Sequence, residues 1–169
     1  SGASEDDSVN IVVSGRFTED QSDVNDDYQV HYIYFLASDT PDKRLDVNGW
    51  IEKLALKANA DLLYWSALSP NSKGVGQQFK LDYRLDSKLD ITFLRATVPE
   101  KTINSVQVPA SYIFNYIRKA GFDNSRKVYA ILVGFNTYEG NSKGGEGGIA
   151  LMTVFIPAAK SYSQDEREA

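Results

Sequence analysis

The chain has 169 residues, room for one domain with a real core and too few for two comfortable ones. Its composition, 42% hydrophobic and 24% charged, excludes disorder of the chain as a whole, and no apolar run approaches the roughly 18 residues of a membrane span. A net charge of −5 with no strong basic cluster argues against nucleic acid and anionic lipid as partners, and a cysteine count of 0 removes disulfides, thiol catalysis, iron–sulfur clusters and Cys-ligated zinc.

Residues 1–27 read as a polar, acidic N-terminal tail with a short strand over Ile11–Phe17 and an acidic loop over Thr18–Asp27. The opening SGASEDDSVN has no charged region followed by an apolar stretch, so it is not a signal peptide. It suits the tether of a mature exported protein, and an extracytoplasmic location is the expectation.

A single α/β domain is expected over 28–157. Tyr28–Ala37 is almost wholly apolar or aromatic, the pattern of a central strand covered on both faces. Asp39-Thr40-Pro41-Asp42 ends it. A helix follows, capped by Asp46 or Asn48, with Ile51, Leu54, Ala55, Ala58, Leu62 and Trp65 as its apolar stripe. Phe79, Leu81, Tyr83 and Leu85 alternate with Lys80, Asp82, Arg84 and Asp86, which predicts a half-exposed strand. Asp86-Ser87-Lys88 turns it into a return strand through Leu89, Ile91 and Phe93, so 79–95 is predicted as a hairpin. Pro109 opens a second helix with the stripe Ala110, Ile113, Phe114 and Ile117, stopped at Gly121. Val128–Phe135 is a second buried strand, Thr137–Gly148 a Gly-rich loop, and Ile149–Ile156 a last strand. The fold class is therefore α/β (α+β): a mixed sheet of about five to six strands with two main helices. Residues 158–169 form a polar tail or the start of a helix, since Ser163 followed by Glu166 has the capping-box spacing.

Catalytic chemistry has little to work with. His31 is the only histidine, and a zinc site needs three or four ligands. In the middle of a buried strand it reads as a hydrogen-bonded core residue. No G-x-S-x-G elbow accompanies it. Asp39, Asp42, Asp46 and Asn48 bunch in one loop and form a calcium candidate, although Arg44 breaks the EF-hand spacing and capping accounts for most of them. The Gly-rich loop is not a phosphate loop, because Lys143 precedes its glycine pair and a strand follows. Asp82, Asp86 and Asp90 fall on the solvated face of the predicted hairpin, so no carboxylate dyad is expected.

Three stretches carry a resemblance. His31–Leu54 holds Y-x-x-A-x-D-x-P-D-x-R running into D-x-x-G-x-I, Leu81–Ala96 holds R-x-D followed by D-I-T-F-x-R, and Tyr129–Phe155 contains the Gly-rich segment. Together they resemble the front half of a family of secreted bacterial proteins related to zincin-type zinc metallopeptidases. The resemblance implies a zincin-like N-terminal subdomain whose edge strand aligns an extended peptide. It also implies a following helix with H-E-x-x-H, which would bring zinc and a general base and which these residues lack. No catalytic residue is carried over, and zinc enters only if such a helix is supplied. Either the natural chain continues into that helix, or the protein is a degenerate relative retained for binding. The implied binding residues are Tyr138, Glu139, Gly144, Gly145 and Glu146 of the loop and Ile149, Leu151 and Thr153 of the edge strand. The expected partner is an extended peptide or a partner protein. Two rivals stand beside this: a non-enzymatic extracellular module that self-assembles, with Ile11–Phe17 as an exchanging strand, and a small-molecule binder with a pocket between sheet and helices. The oligomeric state is left open.

Overall fold

The computed structural model describes residues 15–135, 142–146 and 149–153. The elements run β1 (Gln29–Leu36), α1 (Trp50–Ala67), β2 (Ile91–Arg95), α2 (Glu100–Asn104), α3 (Pro109–Lys119), β3 (Lys127–Val133), β4 (Ser142–Glu146) and β5 (Ile149–Thr153). β1 lies between two parallel neighbours, β2 on one side, with Tyr32 opposite Ile91, and β3 on the other, with His31 opposite Tyr129. β5 continues parallel to β3, and β4 pairs antiparallel with β5, giving the order β2-β1-β3-β5-β4.

Alternation along β1 divides the core into two layers. Ile33 and Phe35 face α2 and α3, packing with Ile103, Ile113, Ile117 and Ile131. Tyr32, Tyr34 and Leu36 face α1, packing with Ile51, Ala55 and Leu132. A strand sandwiched in this way has no polar face, which is why 28–37 reads as continuously apolar. The second helix keeps its expected stripe: Ala110, Ile113, Phe114 and Ile117 are all buried, with Pro109 in the first turn. Beyond the helix end Gly121 has φ +96°, a left-handed conformation that an L side chain strains to adopt. Gly121→Ala is expected to lower stability by about 1 kcal/mol, read as a shift of the urea midpoint at unchanged slope.

The α/β class holds, but the expected sheet of five to six strands on two main helices does not. The part of the sheet whose two covered faces form the core consists of three parallel strands, β2-β1-β3, and the described residues hold three helices. The short α2, with only Ile103 buried, carries too few residues to show a periodicity in sequence. The predicted hairpin is not a ladder. Residues 79–86 contribute only isolated bridges, Leu81 parallel to Val30, Arg84 to Asp23 and Tyr83 to Leu89, while the true strand starts at Ile91 and pairs with β1 instead. The predicted strand over Ile11–Phe17 falls mostly outside the described residues; Phe17 makes one parallel bridge to Thr92 and accepts a backbone hydrogen bond from Phe93.

In α1 only Ile51 and Ala55 are buried, and Trp65, placed in the apolar stripe by its spacing, is 66% exposed. The helix N-terminus sits at Gly49 in a left-handed conformation without a side-chain cap to its second or third amide; Asn48 Oδ1 accepts from the Trp50 amide instead.

Candidate functional site

The polar residues of the core gather at the N-terminal ends of β1 and β3. His31 and Ile33 project from the same face of β1, and Ile33 is opposite Thr92, so Thr92 shares that face. Leu81, bridged to Val30, points into the α1 layer, and its successor Asp82 therefore points the other way, toward His31. His31 Nδ1 lies 2.8 Å from Asp82 Oδ2 and Nε2 lies 2.9 Å from Thr92 Oγ1. The ring packs at 5.8 Å from both Phe122 and Tyr129. His31 is thus the hydrogen-bonded core residue that its strand position implied.

Lys127, the first residue of β3, sends its ammonium into the same spot. Nζ donates to Asp20 and Asp23 at 2.7 Å and to Asp82 at 2.8 Å. Asp90 closes the group: its Oδ2 accepts from the Gln21 amide at 2.8 Å and lies 3.9 Å from His31 Nδ1. Burial pushes the Asp82 carboxyl up, but the hydrogen bonds and charge of His31 and Lys127 outweigh it and hold the group below the usual carboxylate range. Burial raises Asp90, which has no cation donating to it. Burial would lower Lys127, yet three carboxylates hold it well above the ordinary lysine value.

This corrects the placement of Asp82 and Asp90 on a solvated face: they are 0% and 1% exposed. Period two assigns two faces to a strand without saying what covers each, and here the segment 16–24 lies across the polar one. That segment is held by Asp20 and Asp23 on Lys127, the Gln21 amide on Asp90, and Phe17 on β2. The network's one legible signal in sequence is a lysine opening a buried strand alongside an acidic loop.

The calcium candidates are engaged elsewhere. Arg16 donates to Asp46 through Nε at 2.6 Å and through a second nitrogen, and it also pairs with Asp42. Asp42 further accepts from the Arg44 amide at 2.8 Å, and Asp39 from the Glu100 amide at 2.8 Å. A guanidinium thus stands between Asp42 and Asp46, stacked on the Phe93 ring at 3.8 Å. The hydrogen bond from Arg16 lowers the Asp42 pKa, against an opposing effect of burial. A depressed carboxylate contributes stability that is present above the unfolded value of 3.8 and is lost as pH falls through the folded one. Unfolding free energy is therefore expected to fall below about pH 4, and Arg16→Ala to flatten that limb of a stability–pH curve.

Of the expected peptide-binding residues, Gly144, Gly145 and Glu146 belong to β4 and Ile149, Leu151 and Thr153 to β5, while Tyr138 and Glu139 lie outside the described residues, as does Ser163–Glu166. β5 is paired on both sides, with β3 and with β4, so the strand at the margin of the sheet is β4. Hollows among the described residues lie away from it. A cleft of about 330 Å³ between the start of α1 and the outer side of β2 is lined by Asp46, Glu52, Arg84 and Lys88 among others. An apolar cavity of about 190 Å³ lies between α1 and the sheet, bounded by Tyr32, Ala55, Phe79, Leu81 and Ala130.

The fold and the sites define an α/β domain with a parallel core and one antiparallel marginal strand, and no helix among the described residues is long and apolar enough to cross a membrane. No family model matches the sequence, and no curated protein matches it either. Among solved structures the chain is similar to catalytic inactive OgpA from Akkermansia muciniphila, solved in complex with an O-glycopeptide, glycodrosocin, with 14% identity and a TM-score of 0.43. The match covers 79% of this chain and only 37% of that one.

Proposed function

We propose that this protein is a peptide-binding domain that takes an extended segment along the outer side of β4. The observation that carries this reading is topological: among the described residues β4 closes the sheet order and pairs with β5 alone, which leaves its other side as a row of main-chain donors and acceptors. The opposite margin differs, because the Phe17 carbonyl already accepts from the Phe93 amide of β2. β4 is composed of Ser142, Lys143, Gly144, Gly145 and Glu146, with an irregularity between Lys143 and Glu146. Glycine lets an incoming backbone approach closely, and main-chain pairing supplies affinity that tolerates varied side chains. Peptide capture without hydrolysis fits a chain whose single histidine is committed to Asp82 and Thr92.

The test is selection of linear ten-residue peptides from a displayed library, followed by mapping of the best binder through backbone amide shifts. The largest shifts are expected at 142–146, with binding lost in Gly145→Pro, which removes a main-chain donor. Failure to select any peptide, or shifts centred elsewhere, would reject the reading. Shifts at 142–146 that grow with protein concentration in the absence of peptide would mean that β4 pairs with a second copy instead.

A further inference from the structure

We infer that the cluster of exposed Asp20 with buried His31, Asp82 and Asp90 is a binding site for a first-row divalent cation, with the His31 imidazole nitrogen and carboxylate oxygens as ligands. The inference is independent of the peptide reading, which concerns β4 at the other side of the sheet.

The donor atoms are grouped closely enough to converge on one ion after small side-chain shifts. One donor atom from each of the four residues falls within 4.8 Å of all the others. From His31 Nδ1 the carboxylates of Asp82, Asp20 and Asp90 lie at 2.8, 3.6 and 3.9 Å. A cation bound at about 2.1 Å places neighbouring donors about 3 Å apart and opposite ones about 4.2 Å apart. Nε2 is held by Thr92 Oγ1 at 2.9 Å, and a cation on Nδ1 would take the place of the proton that Nδ1 shares with Asp82 Oδ2 at 2.8 Å. Asp20, with its side chain 30% exposed, offers the approach from solvent.

Two further facts point to a ligand. Asp82 Oδ1 and Asp90 Oδ1 are buried oxygens with no hydrogen-bond partner among the described residues, and buried carboxylate oxygens ordinarily have one. Moreover, three carboxylates, those of Asp20, Asp23 and Asp82, share the single ammonium of Lys127, and Asp90 adds a fourth beside His31. The Asp42–Asp46 pair is a contrast: there a guanidinium meets two carboxylates, Arg95 approaches at 4.0 Å, and no carboxylate oxygen is orphaned. One imidazole and several carboxylates suit cations such as Mn²⁺ or Zn²⁺. The cation would enter against Lys127, whose ammonium retains Asp23.

The sequence makes the experiment clean, because with 1 histidine and 0 cysteines there is no other nitrogen or sulfur side chain of the usual metal-binding kind. The protein is stripped with chelator and titrated with Zn²⁺ while the ¹⁵N resonances of the His31 ring are followed. The Nδ1 resonance is expected to shift and to saturate at stoichiometric metal. Asp90→Asn keeps an acceptor for the Gln21 amide while removing a buried charge, and it should weaken binding by on the order of tenfold. An Nδ1 resonance unmoved by excess Zn²⁺ would overturn the inference. So would Zn²⁺ uptake that leaves that resonance in place, since the metal would then sit on surface carboxylates. Should Asp90→Asn fail to fold, the titration of the parent protein decides the matter.

Discussion

Replacing Lys127 with Met is expected to remove about 3–5 kcal/mol of stability, the largest loss we foresee from a single polar substitution. Methionine fills much of the same space, so the effect isolates the charge. Without the ammonium, Asp82 at 0% exposure retains only His31, and Asp20 and Asp23 lose the contact that holds segment 16–24 across the sheet. Two readouts follow. The urea midpoint should drop sharply, and segment 16–24 should gain hydrogen exchange before the rest of the domain. Because the folded pKa of Lys127 is raised, its stabilisation is complete below the unfolded value of 10.5 and lost only as pH rises through the folded one. The difference between parent and variant should therefore be flat across neutral pH. A loss under 1 kcal/mol would mean that the buried carboxylates take up protons at little expense, and the network would then not be the anchor described.

The second large effect concerns the core. Phe35→Ala is expected to lower stability by about 3–5 kcal/mol, from lost burial and the cavity left behind. Phe35 is fully buried at the centre of β1 and packs edge-on against Tyr116 at 5.4 Å and against Phe135 at 6.2 Å. Trp65→Ala is the informative partner. By spacing, Trp65 belongs to the apolar stripe of α1 and its loss should be comparably severe; by its exposure, the change should stay within about 0.5 kcal/mol. Equal losses in the two variants would restore the sequence-based placement of Trp65. Thermal unfolding of both proteins side by side distinguishes the outcomes.

Some of this molecule was legible from residue order alone. A run such as Tyr28–Ala37 reads as a strand covered on both faces from hydrophobicity alone, and His31–Ala37 are indeed all buried, although Tyr28 at its start is exposed. Pro109, the stripe through Ile117 and the left-handed Gly121 likewise mark α3 by local backbone chemistry. Other features depend on partners remote in the chain. Whether Asp82 meets water or Lys127 is decided 45 residues away, and whether Asp90 is covered depends on Gln21, 69 residues away. Period two distinguishes two faces of a strand but is silent on which of them a later or earlier segment covers, so a buried ionic cluster and a solvated face share one pattern. The same holds for the margin of the sheet: Thr137–Gly148 reads as a loop and Ile149–Ile156 as the edge strand, whereas pairing makes Ser142–Glu146 a strand at the margin and Ile149–Thr153 interior between it and β3. Local propensity acts over a few residues and is written in them, whereas burial of charge and exposure of an edge are properties of contacts between distant segments, which exist only once the chain has closed on itself.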